Sequence, residues 1–521
     1  MMMFNRILVA NRGEIAIRVM RTCKEMGIET VSVFSDADKN ALHTRFSDLS
    51  YNIGPAPASQ SYLDQDKIID VAQEAGAEAI HPGYGFLAEN PMFAEKCERA
   101  GIIFIGPTSK ALAKSGDKVE SRRIVKRAGI PVTPGSDESV RSESEAIRIA
   151  EEIGYPIILK ASAGGGGISM AVVRSTEELP SSLKVAKSSS LSSFGSDEIF
   201  VEKYLEPARH IEFQILADSD GNVIHLGERE CSVQRRFQKL IEESPSPIVD
   251  RRTRRRVGQL AVRAAVATEY LNAGTIEFLY HEGKFYFNEI NARLQVEHPV
   301  TEFVTGIDLV RQQVKIAGGE GLQYTQRDIA FRGWSIECRI NAESPFENFM
   351  PSPGTIESYS IPGSIGVRVD SGVEAGSEVS TYYDPLLAKV IVWAGSRDKA
   401  VRRMRRALSE MKIEGIETNI PFHLELLRND DFMNGDIHTG LVEESGIIEL
   451  LRGEGKRRAL EEKLAVAAVA VFLSEQPEEM RYFTKRELRV MDFERLSPWA
   501  RAGRLERLRK RLNADEIQSR V

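Results

Sequence analysis

Two carboxylates inside consecutive apolar strands constrain this chain more than any other feature. The stretch GTIEFLYHEGKFYFNEINARLQVEHP, residues 274–299, opens with the apolar run Thr275–Tyr280. His281-Glu282-Gly283 reads as a turn, and Lys284–Ile290 then alternates apolar and polar residues. That pattern predicts an antiparallel hairpin. Glu277 and Glu289 lie within the strands and Asn291 follows two residues later, although strands disfavour these residue types. A three-residue loop at 281–283 sets Glu277 opposite Phe287 and diagonal to Glu289, with 287, 289 and 291 on one face. A two-residue loop would send the two carboxylates to opposite faces. Converging oxygen ligands without His or Cys suit Mg²⁺ or Mn²⁺. Beyond them Arg293, Gln295, Glu297 and His298 alternate with Leu294 and Val296. This predicts an extended tail that sets a cation, an amide and a base beside the metal. The alternative is an edge strand with a solvated polar face.

The 521 residues are enough for three or more domains. The formal net charge of −7 argues against wholesale nucleic-acid binding. Cys23, Cys97, Cys231 and Cys338 are widely spaced, without metal-ligand pairs or a disulfide framework, which fits a reducing cytoplasm. The N-terminus MMMFNRILVANRGE has no signal-peptide core. The longest apolar run, Leu464–Leu473, is too short to cross a membrane.

Residues 4 to about 110 alternate strand and helix. Strands are expected at Arg6–Ala10, Thr30–Phe34, Glu78–His81 and Ile102–Ile105, with a helix at Glu14–Met26 ending at Gly27. This predicts a parallel α/β sheet covered on both faces. Only one glycine follows the first strand, so no dinucleotide-binding fingerprint is present. His81-Pro82-Gly83-Tyr84-Gly85-Phe86 follows a strand end, where such folds place ligand loops. A helix is expected from Gly116-Asp117-Lys118 to Ala128, a linker at 130–135, and a strand Pro156–Ala161 carrying Lys160. The four glycines Gly164, Gly165, Gly166 and Gly167 then suit a loop that closes over phosphates with its N–H groups. No Gly-Lys-Ser/Thr follows them, so this is not a Walker A motif.

Strands are expected at Glu198–Leu205, His210–Leu216 and Val223–Glu228, with a break at Glu242–Pro247 and a helix from Arg251 to Tyr270. The basic start of that helix reads as a solvated face. Another helix is expected at Gly306–Ala317, a strand at Trp334–Asn341 carrying Glu337 and Arg339, and a helix at Arg397–Met411. Residues 446–521 are helix-prone, and Arg481–Leu512 holds eleven Lys/Arg against four Asp/Glu. This basic tail, with a partial stripe of Leu496, Trp499, Leu505, Leu508 and Leu512, suits partner docking or packing back on the body.

Taken together, the motifs resemble those of the biotin carboxylase family of ATP-grasp enzymes. The matching segments include ILVANRGEIAIR at 7–18, HPGYGFLAEN at 81–90, GDKVESRR at 116–123 and LKASAGGGG at 159–167. VEKYLEPARHIEFQIL at 201–216, ERECSVQRRFQK at 228–239, EINARLQVEHPVTE at 289–302 and ECRINAE at 337–343 complete the set. The resemblance implies an N-terminal α/β domain at 1–115 and an ATP-grasp domain at 116–320 with a lid at about 133–205. A C-terminal α+β domain at 333–445 and a helical basic tail at 446–521 follow. It also implies ATP-dependent activation of bicarbonate and transfer of CO₂ to biotin. By position Glu277, Glu289 and Asn291 match the ligands of two Mg or Mn ions. Lys118, Lys160, Glu202, Lys203, Leu205, His210, Gln234 and Ile437, with the glycine loop, match the nucleotide set. Glu297 matches the base for bicarbonate, and Arg293 and Lys239 are further catalytic cations. Gln295 and Val296 match bicarbonate contacts, Arg339 the cation facing the biotin enolate, and Tyr84 a contact to the biotin ring. Two departures stand out. Ile168-Ser169-Met170 follows the glycines where the family has Arg-Gly-Met, and Phe237 replaces a histidine.

No biotin-acceptor segment follows residue 445, so biotin is expected on a separate carboxyltransferase-bearing chain. A homodimer of this subunit is also expected. The length and helical tail resemble the biotin carboxylase subunits of two-subunit pyruvate carboxylases of archaeal type. The biotin carboxylase subunit of an acetyl-CoA carboxylase is the alternative, and another ATP-grasp ligase a more distant one.

Overall fold

A computed structural model describes residues 4–162 and 170–475. The expected loop at Gly164–Gly167, with Ile168 and Ser169, and the apolar stripe of the tail lie outside these residues. The chain divides into two compact units, residues 1–453 and 454–521.

The N-terminal segment forms the parallel sheet expected. Its strands are β1 (Arg6–Val9), β2 (Glu29–Phe34), β3 (Leu49–Asn52), β4 (Ala79–His81) and β5 (Ile103–Phe104), in the order β3-β2-β1-β4-β5. Ile7, Leu8, Val9, Val31, Val33 and Ile80 are fully buried, as strands covered on both faces require. The edge strand β3 was not expected. Its sequence LSYN is polar and mostly exposed, so it gives no apolar signal.

A small antiparallel sheet follows, β6 (Ile157–Ala161), β7 (Ala171–Val173) and β8 (Ile199–Lys203), in the order β7-β6-β8. It packs with the helices Glu143–Ile153 and Leu179–Phe194 into an apolar cluster of its own.

The largest element is an eight-stranded antiparallel sheet. It holds β9 (Arg209–Ala217), β10 (Val223–Arg235), β11 (Gln238–Ser244), β12 (Asn272–His281), β13 (Lys284–Asn291) and β14 (Trp334–Asn341). The strands Leu386–Ala394 and Val367–Ser371 complete it, and the order is β13-β12-β9-β10-β11-β14 followed by these two. β10 runs on to Arg235, well past the expected end at Glu228. It turns back through Arg236 and Phe237, both at positive φ, and β11 absorbs Glu242 and Glu243, which the sequence suggested as a break. Two consecutive buried glutamates hid that strand, because each of its faces carries one. β14 pairs with β11, Ile241 opposite Cys338 and Glu242 opposite Glu337, so one sheet runs on across residues 320–333.

The helix expected from Gly306 begins at Leu309, where the Asp308 side chain caps the N–H of Arg311. Gly306 instead ends a preceding helix, His298–Thr305, at a left-handed position. The extended tail expected through His298 therefore stops short. β13 ends at Asn291, Glu297 is the residue before a helix, and Pro299 sits in that helix's first turn. Among the described residues no helix is long and apolar enough to cross a membrane.

Candidate active site

The hairpin loop has two residues, not three. Glu282 and Gly283 have φ of +46° and +80°, and His281 pairs directly with Lys284. That loop alone would part the two carboxylates. A bulge at Asn288 corrects it: Phe278 faces Phe287, and the next pair is Glu277 with Glu289. The carboxylates end directly opposite each other, closer than the expected diagonal. The extra residue, Asn288, also reaches the site, where its amide oxygen accepts from Lys160 at 3.2 Å.

These residues form one wall of a cleft of about 520 Å³. Lys118, Lys160, Glu202, Lys203, Leu205, His210, Gln234 and Lys239 line it, with Glu277, Glu289, Asn291, Arg293, Gln295, Val296, Arg339 and Tyr84. Of the expected residues that the structure describes, Glu297 and Ile437 do not line the cleft; Glu297 is fully buried behind it, bonded to Lys239 and Arg339, which do. Ile437 is buried in the apolar cluster with Leu426 and Phe432, and Thr439, two residues on, takes the place on the wall. Lys203 lines the cleft while its ammonium group is held by the carbonyls of Gly154 and Tyr155.

Lys239 stands at the centre. Its ammonium group donates to Glu212 at 2.6 Å, Glu277 at 2.9 Å and Glu297 at 2.7 Å. Burial opposes its charge, but the three carboxylates outweigh burial and raise its pKa well above the usual lysine range. Burial likewise opposes ionisation of Glu277, yet His210 and Lys239 hold it well below the usual carboxylate range. Lys239, Arg339 and Arg229 do the same for Glu297. Glu212 is fixed from behind by Arg229, which is fully buried and also bonds Gln214, Thr301 and Thr275.

On the far side, Arg339 donates from Nε to Glu242 at 2.6 Å and from Nη2 to Glu297 at 3.0 Å. Arg293 donates from Nε to Glu89 at 2.9 Å and from Nη2 to Asn291 at 3.2 Å. Lys118 pairs with Glu289 at 3.0 Å and Lys160 with Glu202 at 2.6 Å. Tyr84 donates its hydroxyl to the buried Glu14.

Glu277, Glu289 and Asn291 offer side-chain oxygens from one wall, a donor set that fits a hard cation such as Mg²⁺. His210, Glu212 and Glu277 also bring ligand atoms within 4.8 Å of one another, but Lys239 already bonds two of them. The sequence reading missed Glu212, Arg229, Glu242, Glu89 and Asn288. Glu212 was within reach: in HIEFQIL it shares a strand face with His210 and Gln214, so the reasoning applied to Glu277 applies to it.

An antiparallel sheet with lysines facing carboxylates across a cleft suits the phosphates and metal of a nucleotide, and the fold is that of the ATP-grasp class. Three family models match in order along the chain. They are the biotin carboxylase N-terminal domain at residues 3–112, the carbamoyl-phosphate synthase L chain ATP-binding domain at 117–325, and the biotin carboxylase C-terminal domain at 337–444. A pyruvate carboxylase subunit of Methanothermobacter thermautotrophicus is 56% identical over 442 residues, 85% of this chain and 90% of the relative. Biotin carboxylase 1 of Bacillus subtilis is 52% identical over 85% of this chain and 98% of its own. The biotin carboxylase domain dimer of the Hydrogenobacter thermophilus 2-oxoglutarate carboxylase was solved with MgADP, ADP and bicarbonate. It superposes with a TM-score of 0.84 at 50% identity, over 86% of this chain and 99% of that one. The chain belongs to the biotin carboxylase family.

Proposed function

We propose that the protein is the biotin carboxylase subunit of a two-subunit pyruvate carboxylase. It uses ATP and bicarbonate to carboxylate biotin carried on a separate chain. The carrying observation is Lys239, which ties Glu277 on the nucleotide side to Glu297 on the Arg339 side through one ammonium group. One cleft thereby serves a phosphoryl transfer and a carboxyl transfer.

In this reading Lys118, Lys160 and His210 face the phosphates of ATP, and Glu202, Lys203, Leu205 and Gln234 hold the nucleoside end. The glycine loop Gly164–Gly167 closes over the phosphates. Glu277, Glu289 and Asn291 would hold two Mg or Mn ions, which neutralise charge on the transferring phosphoryl group. Gln295, Val296, Arg293 and Lys239 hold bicarbonate. Glu297 takes its proton as a bicarbonate oxygen bonds the γ-phosphorus and ADP leaves, which gives carboxyphosphate. A carboxylate stabilised by Lys239 and Arg339 is a weak base. It gains basicity when the Lys239 ammonium turns to the bicarbonate anion. Carboxyphosphate then releases CO₂ and phosphate. The phosphate takes the N1′ proton, Arg339 faces the ureido oxygen of biotin as enolate charge develops, and N1′ bonds CO₂. Tyr84 flanks the biotin ring.

Support for pyruvate as the final acceptor comes from the Methanothermobacter relative at 56% identity. A domain partition at 1–115, 116–320 and 333–445 follows the three family matches. The Hydrogenobacter domain dimer supports a homodimer of this subunit, and free, buried cysteines support a cytoplasmic location. The tail at 446–521, beyond the last family match, is proposed to dock the biotin-bearing chain.

The test is ATP hydrolysis with Mg²⁺, which should depend on bicarbonate and rise with free biotin. A folded preparation without bicarbonate dependence refutes the reading. Co-purification of a biotin-bearing chain that accepts pyruvate identifies the acceptor, and a chain acting on an acyl-CoA overturns that part alone.

A further inference from the structure

Glu242 and Glu337 face each other across the pairing of β11 and β14. Directly opposed residues in an antiparallel pair have Cβ atoms only about 4.5–5.5 Å apart. Both side chains are fully buried. Glu242 Oε1 accepts Arg339 Nε, but its Oε2 has no partner, and neither oxygen of Glu337 has one. This opposed pair thus carries three buried carboxylate oxygens without a donor. Ionised carboxylates only accept hydrogen bonds, so two of them cannot satisfy one another. A single proton between them pairs two of the three oxygens.

We propose that Glu242 and Glu337 share one proton and act as a positioning dyad for Arg339. Glu337 never reaches the cleft. Its task is to fix the Glu242 carboxylate in the orientation that holds Arg339 Nε. With Nε on Glu242 and Nη2 on Glu297, the remaining amino group of the guanidinium faces the cleft that Arg339 lines. The charged and titratable groups around the dyad are all fixed elements of the same sheet and its cover. They are Lys239 on the Glu242 strand, Cys231 on β10, Cys338 and Arg339 on β14, Lys389 on the next strand, and Glu297. Burial raises the pKa of both carboxyl groups, that of Glu242 to about 7, which agrees with one retained proton near neutrality. Lys389 makes no hydrogen bond to Glu337: its ammonium group serves Val296 O at 2.8 Å and Glu14 at 3.1 Å, and its charge only partly offsets the burial that raises the Glu337 pKa.

The activity readout rests on the proposed carboxylase reaction, whereas an infrared readout does not. The protonated carboxyl band of the wild-type protein at neutral pH should lose the intensity of one carboxyl in E337Q, whose amide supplies the donor permanently, while other buried carboxyls such as Glu230 keep theirs. E337Q should keep biotin-stimulated ATP turnover within about twofold, while E337L should lose about 10- to 100-fold, the usual cost of removing an orienting partner. In E337L, bicarbonate-dependent turnover without biotin should stay near the wild-type rate. The pH profile of biotin-stimulated turnover should flatten in E337Q around neutrality. An infrared band of equal intensity in E337Q and the wild-type protein, or equal activity in E337L and E337Q, overturns the dyad. So does a parallel loss of basal turnover in E337L, which marks a merely structural role. A wild-type protein without bicarbonate-dependent turnover refutes the proposed function instead, and the infrared band then decides the dyad alone.

Discussion

The two large sheets bury opposite kinds of side chain. The five-stranded parallel sheet encloses Ile7, Leu8, Val9, Val31, Val33 and Ile80, with few charges. The eight-stranded sheet encloses Glu212, Arg229, Glu242, Glu277, Glu337 and Lys389, each at most 2% exposed. Apolar burial of the first kind stabilises at about 25 cal/mol per Å² and needs no particular partner. Charge burial of the second kind is close to neutral only while each group keeps its partner. The lesson is that stability and chemistry are divided between the sheets: one supplies the core, and the other spends its interior holding cations and carboxylates in register.

The largest effect that would test this division is Glu212→Ala. It leaves the buried Arg229 without its only hydrogen-bonded carboxylate and takes one of three from Lys239, and should cost about 3–5 kcal/mol in denaturant unfolding, as much as a deleted core side chain. Leu8→Ala in the parallel sheet, at about 2–5 kcal/mol, is its control. A cost below 1 kcal/mol for Glu212→Ala would show that the charges are not held as described.

Next in size, Arg339→Lys, which keeps a cation beside the buried Glu242 and Glu297 but loses the fork that bonds both, should lower biotin-stimulated turnover by ~10²–10³-fold while leaving the unfolding transition nearly in place. Steady-state kinetics with free biotin measure the first and thermal unfolding the second. Equal loss of both would join function to stability at a position where the two should part.

Acid provides a smaller test, and it reaches both sheets through buried histidines. Burial lowers the pKa of His43 and of His81 to about 4. Each is neutral in the folded protein, so its contribution is complete above about pH 6.5 and is lost as pH falls towards 4, on the order of 3 kcal/mol apiece. The lowered carboxylates Glu277 and Glu297 contribute above the ordinary carboxylate pKa and lose that only in stronger acid. His225 and His423 titrate like His43, so the separating experiment is His43→Leu, which should flatten the stability profile between pH 6.5 and 4 by one share. An unchanged slope would refute the assignment.

Smallest is Gly283→Ala in the hairpin turn. Nothing lies within 4 Å of the added Cβ, so the cost is the positive φ alone, about 1–2 kcal/mol. Turnover should be unaffected, because the bulge at Asn288, not the turn, aligns Glu277 with Glu289.

Much of this was legible in the sequence, and the misses share a cause. The parallel sheet announced itself because its strands are apolar on both faces. The hairpin was visible through Glu277 and Glu289, and their convergence was correct. The route to it was not: the loop is one residue shorter and a bulge compensates, because turn length and bulges are set by backbone pairing that leaves no composition signal. Glu242 looked like a break for the reason that makes it interesting, namely that it lies inside a strand with a buried glutamate on each face. Arg293–Glu297 alternated like a strand, yet the chain bends there and enters a helix at His298. Ile437 shows the opposite error, since its position in a motif suggested the cleft while its apolar side chain sits in the core.

The pairing of β11 with β14 has a consequence for dissection. Because neighbouring strands 238–244 and 334–341 come from either side of residues 320–333, a cut in that connection severs no sheet hydrogen bonds. It does leave each half with a bare edge that only the other half completes. Two fragments divided there should be insoluble apart and should recombine into one working enzyme when expressed together.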